Sequence, residues 1–144
     1  MTEVAFHVNV PDTLAYTCRL LRKAQQRGWS ALVLCGPREL EALDRQLWAM
    51  RPEDFVPHCR ATHGSELVAR TPVVLSADMG HHLPERAFDA LVNLTPTMPE
   101  GVQRFGRVFE VVSLAEADLQ AARSRWRAYK DAGLEPKRHE IPAA

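Results

Sequence analysis

Residues 30–50 read SALVLCGPRELEALDRQLWAM. The opening SALVLC is an unbroken apolar run of strand length, the pattern of a strand buried on both faces of a sheet. Gly36-Pro37 ends the run, and a helix is expected from about Arg38 to Met50. A buried strand that feeds a helix through a tight turn is the repeating unit of an α/β fold. The same turn restricts the chemistry. A phosphate loop needs GxxxxGK followed by Ser or Thr, and a dinucleotide site needs GxGxxG. Here one glycine is followed by a proline, which has no N–H to offer a phosphate.

The flanking segments repeat the pattern. EVAFHVN (3–9) alternates apolar and polar residues and reads as the first strand. Asp12 or Thr13 can cap a helix that runs to about Arg27, where Gly28 stops it. Leu14, Thr17, Cys18, Leu21 and Ala24 share its core face. PVVLS (72–76), DALVNL (89–94) and RVFEVVS (107–113) are further strands, with a short helix expected at 99–105. The stretch 56–71 is weakly patterned and reads as loop or short edge strand. A last helix is expected from about Leu114 to Ala132, stopped by Gly133 and Pro136. Residues 137–144 read as a loose tail. The β-α-β-α order predicts one α/β domain over 1–144. Its sheet is expected to be open and mostly parallel, flanked by helices, with a nucleotide-binding-like topology but no phosphate loop. The later strands lie close enough together for an antiparallel edge.

Composition narrows the class. The chain has 144 residues, 46% hydrophobic and 25% charged, which are ordinary globular values. No apolar run approaches the ~18 residues of a membrane helix. MTEVAFHVNV opens with an acid and alternates, unlike a signal peptide. Lys plus Arg and Asp plus Glu each number 18, a formal net charge of zero that excludes a general nucleic-acid coat protein. Cys18, Cys35 and Cys59 are odd in number and never spaced CxxC, which points to free thiols and a cytoplasmic location.

Candidates for catalysis are few. His58, Cys59 and His63 cluster, and His81 and His82 are adjacent, but neither group has the two separated ligand pairs of a zinc site. They read as surface histidines in loops and one buried thiol. Cys59 beside His58 is the one tempting nucleophile–base pair, yet neighbours on an extended chain point to opposite sides. Ser30, Ser65, Ser76 and Ser113 lack a GxSxG setting. No catalytic residue, metal or cofactor is therefore expected.

Two surfaces stand out instead. On the helix after Gly36, Leu40, Leu43, Leu47 and Met50 form a core stripe. Trp48 falls about 120° from it, among Glu41 and Arg45. Phe55 follows between Pro52 and Pro57, and the two rings suit an aromatic interface patch unless the segment folds back over Trp48. In the last helix and its tail, Arg123, Arg125, Arg127, Lys130, Lys137 and Arg138 face only Asp131 and Glu135. Arg123, Arg127 and Lys130 lie within an arc of about 60°, beside Trp126 and Leu119. Guanidinium forks beside an apolar strip suit an acidic peptide with an apolar terminal residue, and nucleic-acid phosphate is the competing ligand.

At these two places the chain resembles a known family. LDRQLWAMRPEDFVPH (43–58) and RWRAYKDAG (125–133) are similar to signature segments of the chi subunit of bacterial DNA polymerase III holoenzyme. The resemblance covers the whole chain. It implies an accessory subunit of the clamp-loader assembly with no catalysis of its own. The subunit would pair with a psi-type subunit and grip the acidic C-terminal tail of single-stranded DNA-binding protein, touching DNA only indirectly. It assigns Trp48 and Phe55 to the psi-type partner. It assigns Arg123 and Arg127 to the tail, with Trp126 at an aromatic position. Leu119 stands where the family has a lysine, and Lys130 or Arg125 is the candidate to compensate. A nucleotide-binding enzyme and a direct single-stranded DNA binder are the alternative readings of such a fold.

Overall fold

A computed structural model describes residues 2–79 and 86–142. Seven strands form one sheet: β1 (Glu3–Val10), β2 (Ala31–Leu34), β3 (His58–Arg60), β4 (Val73–Ser76), β5 (Ala90–Asn93), β6 (Arg107–Ser113) and β7 (Lys137–Glu140). Their spatial order is β3-β4-β2-β5-β6-β1-β7. Four helices flank the sheet: α1 (Thr13–Gln26), α2 (Pro37–Trp48), α3 (Ser65–Arg70) and α4 (Glu116–Asp131).

Among the described residues every pairing is parallel, so the antiparallel edge allowed by the close spacing of the later strands is not found there. The β5–β6 connection is long enough to bring the chain back to the start of the sheet, and the helix expected at 99–105 shrinks to a 3-10 turn, Val102–Arg104, within it. The central strands β2, β4 and β5 are buried along their whole length, as their unbroken apolar runs require.

Each face of the sheet has its own core. On one, Phe6 of β1 packs against Tyr129 of α4, and the same core runs across the sheet to Val68 of α3. On the other, Cys18 and Leu21 of α1 meet Leu40, Leu43 and Leu47 of α2. β1 contributes to both faces because its pairing with β6 shifts between His7 and Val10. Asn9, at φ 66°, takes the left-handed conformation there, and Val10 turns to the α1 side. α1 begins as expected: the Asp12 carboxylate accepts from the Ala15 amide at 3.1 Å.

Four expectations are corrected. Residues 137–140 are a strand rather than tail. β7 lies beside β1, and Ile141 N–H extends the pairing to the Val8 carbonyl at 3.0 Å. The stretch 56–71 contains both an edge strand, β3, and a helix, α3. α2 stops at Trp48, two residues early, and Met50 is only half-buried. His58 is not a surface loop residue: it is buried in β3, while its neighbour Cys59 belongs to the opposite core. His81 and His82 lie outside the described residues. Among the described residues, the three cysteines are free and buried. No helix there is long and apolar enough to cross a membrane.

Candidate partner-binding surfaces

The first surface is built by α2 and the segment that follows it. Leu40, Leu43 and Leu47 seat α2 on the sheet, and this fixes Trp48, one residue on, at the rim. Trp48 is 64% exposed. The chain then bends through the short 3-10 turn Pro52–Asp54. Arg22 of α1 pins that turn, donating to the Glu53 carbonyl at 3.0 Å and lying 3.5 Å from the Asp54 carboxylate. Fully buried Val56 anchors the next residue pair. Phe55 is thereby brought to 5.3 Å from Trp48, ring centre to ring centre. The segment does fold back, but it supports Trp48 rather than covering it.

His58 is a third ring that the sequence did not reveal. It stands 5.1 Å from Trp48 and 5.7 Å from Phe55. Its Nδ1 donates to the Val56 carbonyl at 2.7 Å. Its Nε2 lies 3.1 Å from Asp44 Oδ1, without hydrogen-bond alignment. Arg60, two residues on, forks across Glu41 and Asp44 of α2, reaching Asp44 at 2.9 Å. The hydrogen bond that Arg60 donates to Glu41 holds the Glu41 carboxyl below the usual carboxylate range. β3 and α2 are thus clamped together beneath the aromatic patch.

The second surface lies on α4. Arg123, Arg127 and Lys130 are exposed, and Trp126 beside them is half-buried. Trp126 packs edge-on against Phe6 at 5.1 Å, so one side of its ring belongs to the core. Among the described residues, none of the three cations makes an ion pair. Asp131 stands one turn beyond Arg127 but does not reach it. Three positive side chains without local partners and one available aromatic edge can take a carboxylate-rich ligand.

Arg125 is not part of this surface and does not compensate for Leu119. It is 2% exposed and pairs with fully buried Glu110 of β6 at 2.8 Å. It also donates to the Pro96 carbonyl at 3.2 Å. Glu110 accepts further bonds from Asn93 at 2.8 Å and Tyr129 at 2.6 Å. Burial pushes the Glu110 carboxyl up, while Arg125 and the two neutral donors pull it down. The Tyr129 hydroxyl is pushed up, by burial first and then by the Glu110 charge. Leu119 packs against the core beside Trp126. The sequence counted Arg125 among the cations of this helix, and its acidic partner on β6 explains why it is buried instead.

A model of the family described as DNA polymerase III chi subunit, HolC, matches residues 1–137. The chain belongs to the DNA polymerase III chi subunit family. It is 34% identical to the DNA polymerase III subunit chi of Pseudomonas aeruginosa, with 99% of each chain covered. It is 28% identical to the Escherichia coli subunit over 81% of this chain and 78% of that one. Membership makes it an accessory component of the replication polymerase.

Solved structures show the same fold in other settings. The C-terminal domain of the DEAD-box protein Dbp5 superposes with a TM-score of 0.63 at 12% identity, covering 97% of this chain and 90% of that one. The S. cerevisiae Dbp5 domain in complex with Gle1 gives the same TM-score at 11% identity. These likenesses concern the fold alone. In doubly wound folds, ligands sit in the crevice outside the carboxyl ends of the strands. Here a crevice of about 390 Å³ at that end is lined by Glu39 and Asp118. The Glu39 carboxylate folds back over Gly36, where a phosphate loop would present its amides. Arg125 also lines this crevice, but it is already paired with Glu110, so the two acids face a phosphate without a free cation among these lining residues.

Proposed function

We propose that this subunit is a non-catalytic bridge that holds a psi-type clamp-loader subunit at Trp48 and Phe55 and the acidic C-terminal tail of single-stranded DNA-binding protein at Arg123, Trp126, Arg127 and Lys130. The observation that carries the reading is the separation of the two surfaces. α2 and α4 pack on opposite faces of the sheet, so both partners can be held at once. Family membership supports the choice of partners, and the chemistry agrees with it. The patch on α2 is aromatic and apolar, which suits a protein anchor. The α4 ridge is cationic beside an indole edge, which suits carboxylates followed by an apolar terminal residue.

Catalysis has no support from the geometry. Cys59 and His58 belong to opposite faces, and burial pushes the Cys18 and Cys35 thiols up to about 11 and about 12. Among the described residues, no group of three potential ligands can hold a metal. The test is a three-component assembly: subunit, psi-type protein and tail peptide on a sizing column. One complex containing all three is expected. Mutual exclusion of the two partners would contradict a bridge.

A further inference from the structure

β7 leaves a groove that neither surface above uses. On the α1 side of the sheet, α1 stands on one flank of β1, and among the described residues no helix lines the β7 side of the groove. The resulting groove has a volume of about 780 Å³, within the range of ligand sites. Its walls carry Lys23 and Arg27 from α1, Arg107 from β6 and Lys137 from β7. Lys23 and Arg27 are one helical turn apart, so the charges form a row rather than a point. Among the described residues, Glu3 and Glu135 are the only acids lining it, and Glu3 is engaged by Arg107 at 2.7 Å.

We propose that this groove binds the phosphodiester backbone of a single nucleic-acid strand. Lys23, Arg27 and Lys137 are exposed and make no ion pair among the described residues, so they are available to successive phosphates. Trp29 lies between two guanidinium groups, with Arg107 at 4.4 Å and Arg27 at 5.2 Å from its ring centre. Stacking of this kind steadies the Arg27 guanidinium and leaves its N–H edge for an anion, while Arg107 turns its own edge to Glu3. Phe109 and His139 also line the groove and offer flat rings that single-stranded bases can meet. The local field agrees: burial, then the charges of His139 and Lys23, hold His7 down at about 4. A mononucleotide fits less well, because the cations are spread along the groove rather than gathered at one phosphate. The chain's zero net charge sets the scale: binding is weak and confined to this face.

The test is fluorescence anisotropy of a labelled 20-nucleotide oligothymidylate at low salt, using the full chain. Wild type is expected to bind with a log–log salt slope of about −2, from three phosphates at roughly 0.7 each. Lys23→Glu with Lys137→Glu should weaken binding at least tenfold, whereas Arg127→Ala should leave it unchanged. Circular dichroism checks the fold, and if the double variant unfolds, Arg27→Gln should flatten the slope by about a third. Any of the following results overturns the proposal. These are no salt-sensitive binding by wild type, retention of binding in the groove variants, loss in Arg127→Ala, or equally tight binding of thymidine monophosphate. Displacement of the oligonucleotide by a polyglutamate peptide of matched charge would also overturn it, in favour of an acidic-peptide groove.

Discussion

Trp48 and Trp126 both stand on helices that flank the sheet, and both were singled out by helical periodicity, yet the fold treats them differently. Trp48 is the last residue of α2, 64% exposed, and rests on Phe55 and His58. Trp126 is in mid-helix, half-buried, with its ring edge-on to Phe6 of β1. The α2 patch is therefore apolar surface left in water, open to the partner proposed for it. On α4 the aromatic ring is already committed to the core, and only the cations around it are free. On the proposed reading, the first surface keeps its energy for binding, while the second spends part of it in folding. Substitutions on the two sides should separate these effects.

The largest effect is expected beneath α4. Arg125→Ala leaves Glu110 buried without its cation, and breaking a buried pair from one side costs about 3–5 kcal/mol. Urea denaturation should show this loss, and an unchanged midpoint would mean that Glu110 is neutral in the fold. Next, Trp126→Ala removes the contact with Phe6. A loss of about 2 kcal/mol is expected, below the 3–5 of a fully buried tryptophan. If Trp126→Ala were neutral to stability, the contrast with Trp48 would collapse.

The contrast was partly legible in the sequence. The apolar runs of β2, β4 and β5 announced a parallel sheet because burial on both faces leaves no polar positions to blur the signal. The displacement of Trp48 from Leu40, Leu43 and Leu47 survived because helix geometry alone decides it. β7 was invisible: KRHE has no apolar residue, and the strand exists through backbone hydrogen bonds to β1, charged as exposed edges commonly are. His58 and Arg125 were misjudged for a shared reason. Each is a polar residue buried by a tertiary partner, Asp44 beside one and Glu110 beside the other, and a partner distant in sequence leaves no local pattern.

A smaller effect separates the two sides by pH. His7 sits on β1 beside Phe6, hydrogen-bonded to Tyr16, and burial with the nearby His139 and Lys23 holds it down at about 4 against an ordinary 6.5. The unfolded chain therefore binds a proton first as pH falls. Stability should be full above 6.5, decline through the interval, and level off below about 4, as far as His7 is concerned. His7→Gln should flatten that decline in denaturation measured from pH 7 to 4, and an unaltered slope would assign it to other groups. The smallest effect is expected at Trp48. Trp48→Ala should change stability by no more than about 0.5 kcal/mol, since the ring is mostly in water. The same variant should weaken a psi-type partner by more than tenfold, about 2 kcal/mol. A destabilised monomer with intact binding would make Trp48 a core residue after all.

The most direct test of two separate surfaces is calorimetric titration of the acidic tail peptide into wild type, Arg127→Ala and Trp48→Ala. The peptide should bind wild type and Trp48→Ala alike, with an affinity that falls as salt rises. Arg127→Ala should lose about 1–3 kcal/mol, the range for a hydrogen bond to a charged group. Equal affinity for wild type and Arg127→Ala, or a loss on Trp48→Ala instead, would contradict the assignment of the tail to α4.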